Sequence, residues 1–221
     1  MRQKEWYLVP MRKAEAIYVF LVAVSFLISA GAYDALPDQV VTHWGAGGEP
    51  DGYAAKMTAL GIVPGVLVFY GIMFAAIPRA AAKKEHFHKF ASVFERFAVV
   101  CMIFMLAIHV FIVAWGLGYR PDIKVVMALL MGPLYYSIGR MIEDLDPEWS
   151  GKKKQKWGQL GDKATIRFQR RMGKGFKLAG IAMGLSALAP EHLFWVLIAA
   201  NILVFLWMFV ALGMAYTEKD Q

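Results

Sequence analysis

Charge is scarce in this chain. Of its 221 residues, 19% are Asp, Glu, Lys or Arg, while 58% are hydrophobic. Soluble domains carry about a quarter charged residues. Cysteine is nearly absent too: Cys101 stands alone in an apolar run, which excludes an intramolecular disulfide and leaves a small buried hydrophobe. There is no His-Glu-x-x-His, no glycine-rich phosphate loop and no pair of carboxylates within an apolar run. Those gaps remove the usual signatures of zinc hydrolysis and nucleotide chemistry, and no cofactor or metal is expected.

What the chain has instead is long apolar blocks and a mean hydropathy of +0.46. A run of 20 apolar residues spans about 30 Å as a helix, one membrane crossing. Six apolar helices are predicted, at about 14–33, 58–78, 91–117, 123–141, 176–189 and 193–216, the fifth of them short. The expected class is therefore all-α: a single polytopic membrane domain of six transmembrane helices. A loop at 34–57 and a basic connector at 140–175 interrupt it. Ala30-Gly31-Ala32 resembles a signal-peptide cleavage site, but the first run is read as a retained helix.

Residues 34–57 have the chemistry of a specific folded loop. Pro37-Asp38 opens a turn, and Val40, Val41, Thr42, His43 and Trp44 favour an extended strand. Gly45, Gly47 and Gly48 free the backbone, and Pro50-Asp51-Gly52 turns it again. The prediction is a short arm that doubles back over the membrane surface, with Trp44 and Tyr53 as aromatic anchors. His43, Trp44, Glu49, Asp51 and Lys56 are the groups it presents. His43, Glu49 and Asp51 suit a metal by type, but without a Cys or a second His the favoured role is structural.

The run Leu36-Pro37-Asp38 … Thr42-His43-Trp44 … Gly48-Glu49-Pro50-Asp51-Gly52-Tyr53 … Lys56 resembles the signature loop of SdpI-like proteins, multi-helix membrane proteins of bacteria and archaea. Val41 departs from it, standing where that family often has a second proline. The best-known members confer immunity to a secreted peptide toxin and report it by holding a transcriptional repressor at the membrane. The resemblance implies a sensing or immunity role, with a peptide or small ligand outside and a protein partner inside. Gly139-Arg140 is similar to the start of a cytoplasmic Gly-x-Arg element of that family, but its Thr-Pro-Trp run does not follow. Arg171-Met172-Gly173 matches a later element only in part.

Two polar residues fall inside apolar runs. His109, in the third, is either a proton- or ligand-responsive group or a neutral imidazole bonded to another helix. Asn201, in the last, is expected to bond across helices. His109, Asn201 and prolines 64 and 133, the prolines read as a kink and a break, motivate a competing reading as a membrane enzyme or transporter. Gly61-xxx-Gly65 and Gly180-xxx-Gly184 are small-residue patterns that let helices approach, and a homo-oligomer or a subunit of a larger complex is a third reading.

The basic connector carries acids first, then lysines, then an amphipathic helix from an Asp162 N-cap. In that helix Ala164, Phe168 and Met172 repeat every four residues among Arg167, Arg170, Arg171 and other cations. With Arg140, these form a surface suited to anionic lipids. His86 and His88 form a His-x-His pair in a second basic connector, more plausible as a solvated loop than as metal ligands.

The formal net charge is +7. Its placement makes direct nucleic-acid binding unnecessary as an explanation. Apart from Arg96, which lies in the third helix, all Lys and Arg except Lys56, Arg120 and Lys124 fall in segments that share one side of a six-helix chain. The positive-inside rule puts both termini in the cytoplasm and the signature loop outside the cell membrane.

Overall fold

The computed structural model describes residues 12–81, 87–145 and 162–217. Six helices carry the fold: α1 (Lys13–Ala32), α2 (Lys56–Ala81), α3 (Phe87–Gly116), α4 (Ile123–Asp144), α5 (Asp162–Leu185) and α6 (Leu193–Thr217). Between α1 and α2 two strands, β1 (Gln39–Trp44) and β2 (Pro50–Ala55), form an antiparallel hairpin. The chain is a polytopic all-α membrane protein with a small β cap. Five helices, all but α5, are long and apolar enough to cross a membrane.

α5 falls short because it is two things in one. The separate helix expected at 176–189 does not exist. It and the amphipathic basic segment join into one continuous helix that ends at Leu185, followed by short 3-10 turns at Ser186–Leu188 and Pro190–His192. Basic residues fill its first half and lower the mean hydropathy, while the second half is apolar. Its path is nevertheless set by α4. Gly139 approaches Gly173, and Gly132 approaches Gly180 and Gly184, so the two helices run antiparallel along most of their length.

Prolines 64, 78 and 133 are accommodated inside unbroken helices, so the break expected at Gly132-Pro133 is absent and α4 continues to Asp144. A proline removes one helical hydrogen bond, which neighbouring turns of a packed membrane helix tolerate. α2 begins at Lys56, directly after β2, and α3 begins at Phe87, earlier than the apolar pattern alone indicated.

The molecule packs as two linked halves. In the first, α1, α2, α3 and β1 bury Tyr18, Leu36, Val40, Leu67, Met102 and Ile112 in one core. In the second, Met183 and Ala179 of α5 pack with Ala200 of α6 and against Tyr135 of α4. Chain direction puts the hairpin at one end of the bundle, with the C-terminal ends of α1, α3 and α5. The opposite end is cross-braced by charge. Arg12 pairs with Glu15 at 2.8 Å and with Glu95 at 2.7 Å, and Arg79 closes on Glu15, joining α1, α2 and α3. Arg96 meets Asp144 at 3.4 Å, and Lys177 meets Glu143 at 2.7 Å, carrying the bracing to α4 and α5.

Candidate functional site

The hairpin is built onto the helix ends and does not float above them. Its turn is closed by Gly45 N–H to the Glu49 carbonyl and Gly48 N–H to the Gly45 carbonyl, both 2.9 Å. Gly48 sits at φ 90°, a conformation L side chains avoid. At the base, Lys56 N–H donates to the Asp38 carbonyl at 2.8 Å, which joins the start of α2 to the start of the loop. The Lys56 ammonium lies 3.5 Å from the Asp38 carboxylate and 4.7 Å over the Tyr33 ring, and also reaches the Leu36 carbonyl. Pro37 is exposed between these anchors.

Two apolar side chains sink the cap into the bundle. Val40 is 1% exposed, and Leu36 drops into a notch on α3 that exists because residue 116 is glycine: a Cβ there would collide with Leu36. Trp44 packs its ring 4.9 Å from Phe111 and 5.3 Å from Trp115. It was expected as a group presented at the interface. It instead turns inward, because the two α3 rings offer an apolar partner that lipid would otherwise supply. Tyr53 remains exposed.

Of the three loop residues considered as a metal set, two come together. His43 Nδ1 lies 2.5 Å from Asp51 Oδ1 across the strands, both side chains exposed. Gly52 faces His43, and a Cβ on it would stand 2.7 Å from the His43 Cβ. Glu49 contributes its backbone carbonyl to the turn. Among the described residues no three His, Cys, Asp or Glu side chains converge as metal ligands. His86 lies outside the described residues, as does the side chain of His88.

Below the cap His109 is completely buried. Its Nε2 lies 2.9 Å from Ser29 Oγ, which also lies 2.9 Å from the Leu60 carbonyl and 3.1 Å from the Ser25 carbonyl. A hydroxyl has one proton, and both carbonyls can only accept. When Ser29 donates to a carbonyl, its oxygen is free to accept from His109 Nε2–H, while the buried Nδ1 of the ring has no hydrogen-bond partner. Chemically this is a knot joining α1, α2 and α3. At the other membrane-embedded polar position, Tyr135 O–H donates to Asn201 Oδ1 at 2.8 Å, while Asn201 donates to the Leu197 carbonyl.

The four arginines of the expected basic surface do not share one environment. Arg140 and Arg170 are exposed, and Arg140 reaches Glu143 and Asp144 on its own helix. Arg167 and Arg171 are half-buried. Trp207 N–H donates to the Arg171 carbonyl at 2.8 Å, so this turn of α5 faces α6 as well as the basic side.

The small-residue patterns divide as well. Gly180 and Gly184 pack on α4. At Gly61 and Gly65 no heavy atom of the described residues lies within 4 Å of an added Cβ, so no described helix packs on them. They line an open apolar groove with Ile62 and Phe69.

Sequence reasoning missed the Glu15–Arg79 pair. The signal was present: an acid at the head of an apolar run, three residues after Arg12, the spacing of a capping interaction. Arg120 was counted only for topology, yet it stacks on Trp115.

Residues 20–68 match the model of a domain of unknown function (DUF1648). The match begins in α1, takes in the whole hairpin and ends in α2. No curated protein and no solved structure matches the chain.

Proposed function

We propose that this chain is an SdpI-like sensing or immunity protein of the cell membrane, with its hairpin outside and both termini in the cytoplasm. The observation that carries the reading is the attachment of the cap. Leu36, Val40, Trp44 and Lys56 tie it to α1, α2 and α3 at once, so a ligand that moves the cap acts on three helices. Orientation rests on charge. In the sequence, apart from Arg96 within the third helix, every Lys and Arg except Lys56, Arg120 and Lys124 lies in the segments read as cytoplasmic, the bias expected of that side. The exposed Arg140 and Arg170 face anionic lipid there, and the same basic end is the docking side for a protein partner.

Two measurements test this. In a Cys101→Ser background, Gly47→Cys should react with an impermeant maleimide in intact cells and Lys174→Cys should not; the reverse pattern sinks the orientation. Cells carrying the chain should survive a secreted antibacterial peptide that kills cells without it, and Gly52→Val should abolish survival. Protection that persists with the hairpin broken removes the cap from the function.

The alternative, an enzyme or transporter centred on His109, is less favoured. The histidine is closed in by Ser29 and neighbouring carbonyls. His109→Ala should lower stability and leave ligand response intact.

A further inference from the structure

The cap and α3 enclose a groove of about 270 Å³, lined on one side by Gln39, Val41 and Tyr53 and on the other by Trp115, Gly116 and Arg120. Its geometry starts at the end of α3. Gly118 N–H donates to the Trp115 carbonyl and Tyr119 N–H to the Ala114 carbonyl, with Gly118 at φ 97°. This is a helix stop of the left-handed glycine type. It turns the chain so that Arg120 folds back over Trp115. Pro121 restricts Arg120 to an extended backbone. The guanidinium then donates one N–H to the Trp115 carbonyl and lies 5.0 Å over the Trp115 ring.

At the opposite end, Arg12, Arg79, Arg96, Arg140 and Lys177 each meet a carboxylate, and on the hairpin side Lys56 does. Arg120 meets none among the described residues, although Asp122 is two positions away. The Asp122 side chain is occupied instead, accepting the Lys124 N–H at 2.8 Å as the N-cap of α4. Guanidinium has five N–H donors and one is used. The result is a pre-oriented, unneutralised cation at the rim of a groove walled by Val41, Tyr53 and Trp115.

We propose that this groove binds the free C-terminal carboxylate and last apolar side chain of an extracytoplasmic peptide, with Arg120 as the carboxylate's partner. Arginine matches a carboxylate with two parallel N–H bonds, and aromatic walls hold an apolar side chain. The volume is at or below the low end of small-molecule pockets, about 300–1,000 Å³. It fits one or two residues, so the rest of the peptide would lie along the exposed hairpin. The proposal rests on the outward-facing reading of the cap.

The test uses the full chain in phosphatidylcholine nanodiscs. Titration calorimetry would compare N-acetyl-leucyl-phenylalanine as the free acid and as its C-terminal amide. The acid should bind saturably and the amide at least tenfold more weakly. Arg120→Gln should erase the difference, and Val41→Glu, which adds a negative wall, should weaken the acid similarly. Equal binding of acid and amide, no binding of either, or an unchanged preference in Arg120→Gln would overturn the proposal. Its failure is separable from that of the sensing role. If Arg120→Gln cells keep peptide protection that Gly52→Val cells lose, the groove is wrong and the cap's role stands.

Discussion

The two halves of the bundle hold together by opposite means. α1, α2 and α3 are spaced by side chains: Tyr18, Phe74 and Phe94 pack ring on ring, and ion pairs lock the end away from the hairpin. α4 and α5 are held at backbone distance by glycines. A Cβ on Gly139 would come within 2.5 Å of the Gly173 carbonyl oxygen, and one on Gly180 within 2.6 Å of the Gly132 oxygen. In lipid, apolar side chains gain little by leaving one apolar medium for another, so packing and polar contacts decide association. The first half uses interlocking shape and charge, the second uses proximity. A half built on shape tolerates a loop as a working part; a half built on proximity does not tolerate added atoms.

The largest effect is expected where proximity is absolute. Gly180→Leu would force the backbones of α4 and α5 apart and should cost about 3 kcal/mol, read as loss of cooperative unfolding of the second half in detergent. An unchanged melt would mean that the two helices do not touch as described. Next is the charge lock. Glu15→Gln leaves Arg12 and Arg79 without their shared carboxylate and should destabilise the first half by about 2 kcal/mol, discounted because Arg79 is partly exposed. Double-mutant cycles with Arg79→Gln should show coupling; additive losses would remove the pair from the argument. Trp44→Ala should cost about 2 kcal/mol by uncovering Phe111 and Trp115, seen as faster hydrogen exchange in the hairpin with the α4–α5 pair unaffected. The smallest effect has the opposite sign. Gly65→Ala adds a methyl where nothing stands within 4 Å, so it should stabilise α2 by up to about 1 kcal/mol. A loss of stability would mean that another helix occupies that face.

Much of this architecture was readable in the chain. The loop chemistry of Pro37, Gly48 and Gly52 foretold a doubled-back arm, and the apolar blocks foretold α1, α2, α3, α4 and α6. Hydropathy misjudged α5 because one helix joins a basic half to an apolar half, and a windowed pattern divides them at residue 176. The proline break failed because the local rule at Pro133 takes no account of supporting neighbours. Trp44 and Leu36 show a further limit. Nothing in their own segment reveals that the cap docks on α3, since Gly116, Phe111 and Trp115 lie some seventy residues downstream. The contacts of Ser29 with His109 and with the Leu60 carbonyl are equally non-local.

The fit of Leu36 against Gly116 makes the cap a gauge of α3's axial position. On the face of α3 that meets Leu36, the residues one turn before Gly116 are Ile112 and Val113. If α3 advanced one turn toward the hairpin, a branched side chain would replace the gap and the peg would be ejected. The same fit works in reverse: prying the peg out from above would release α3 to travel.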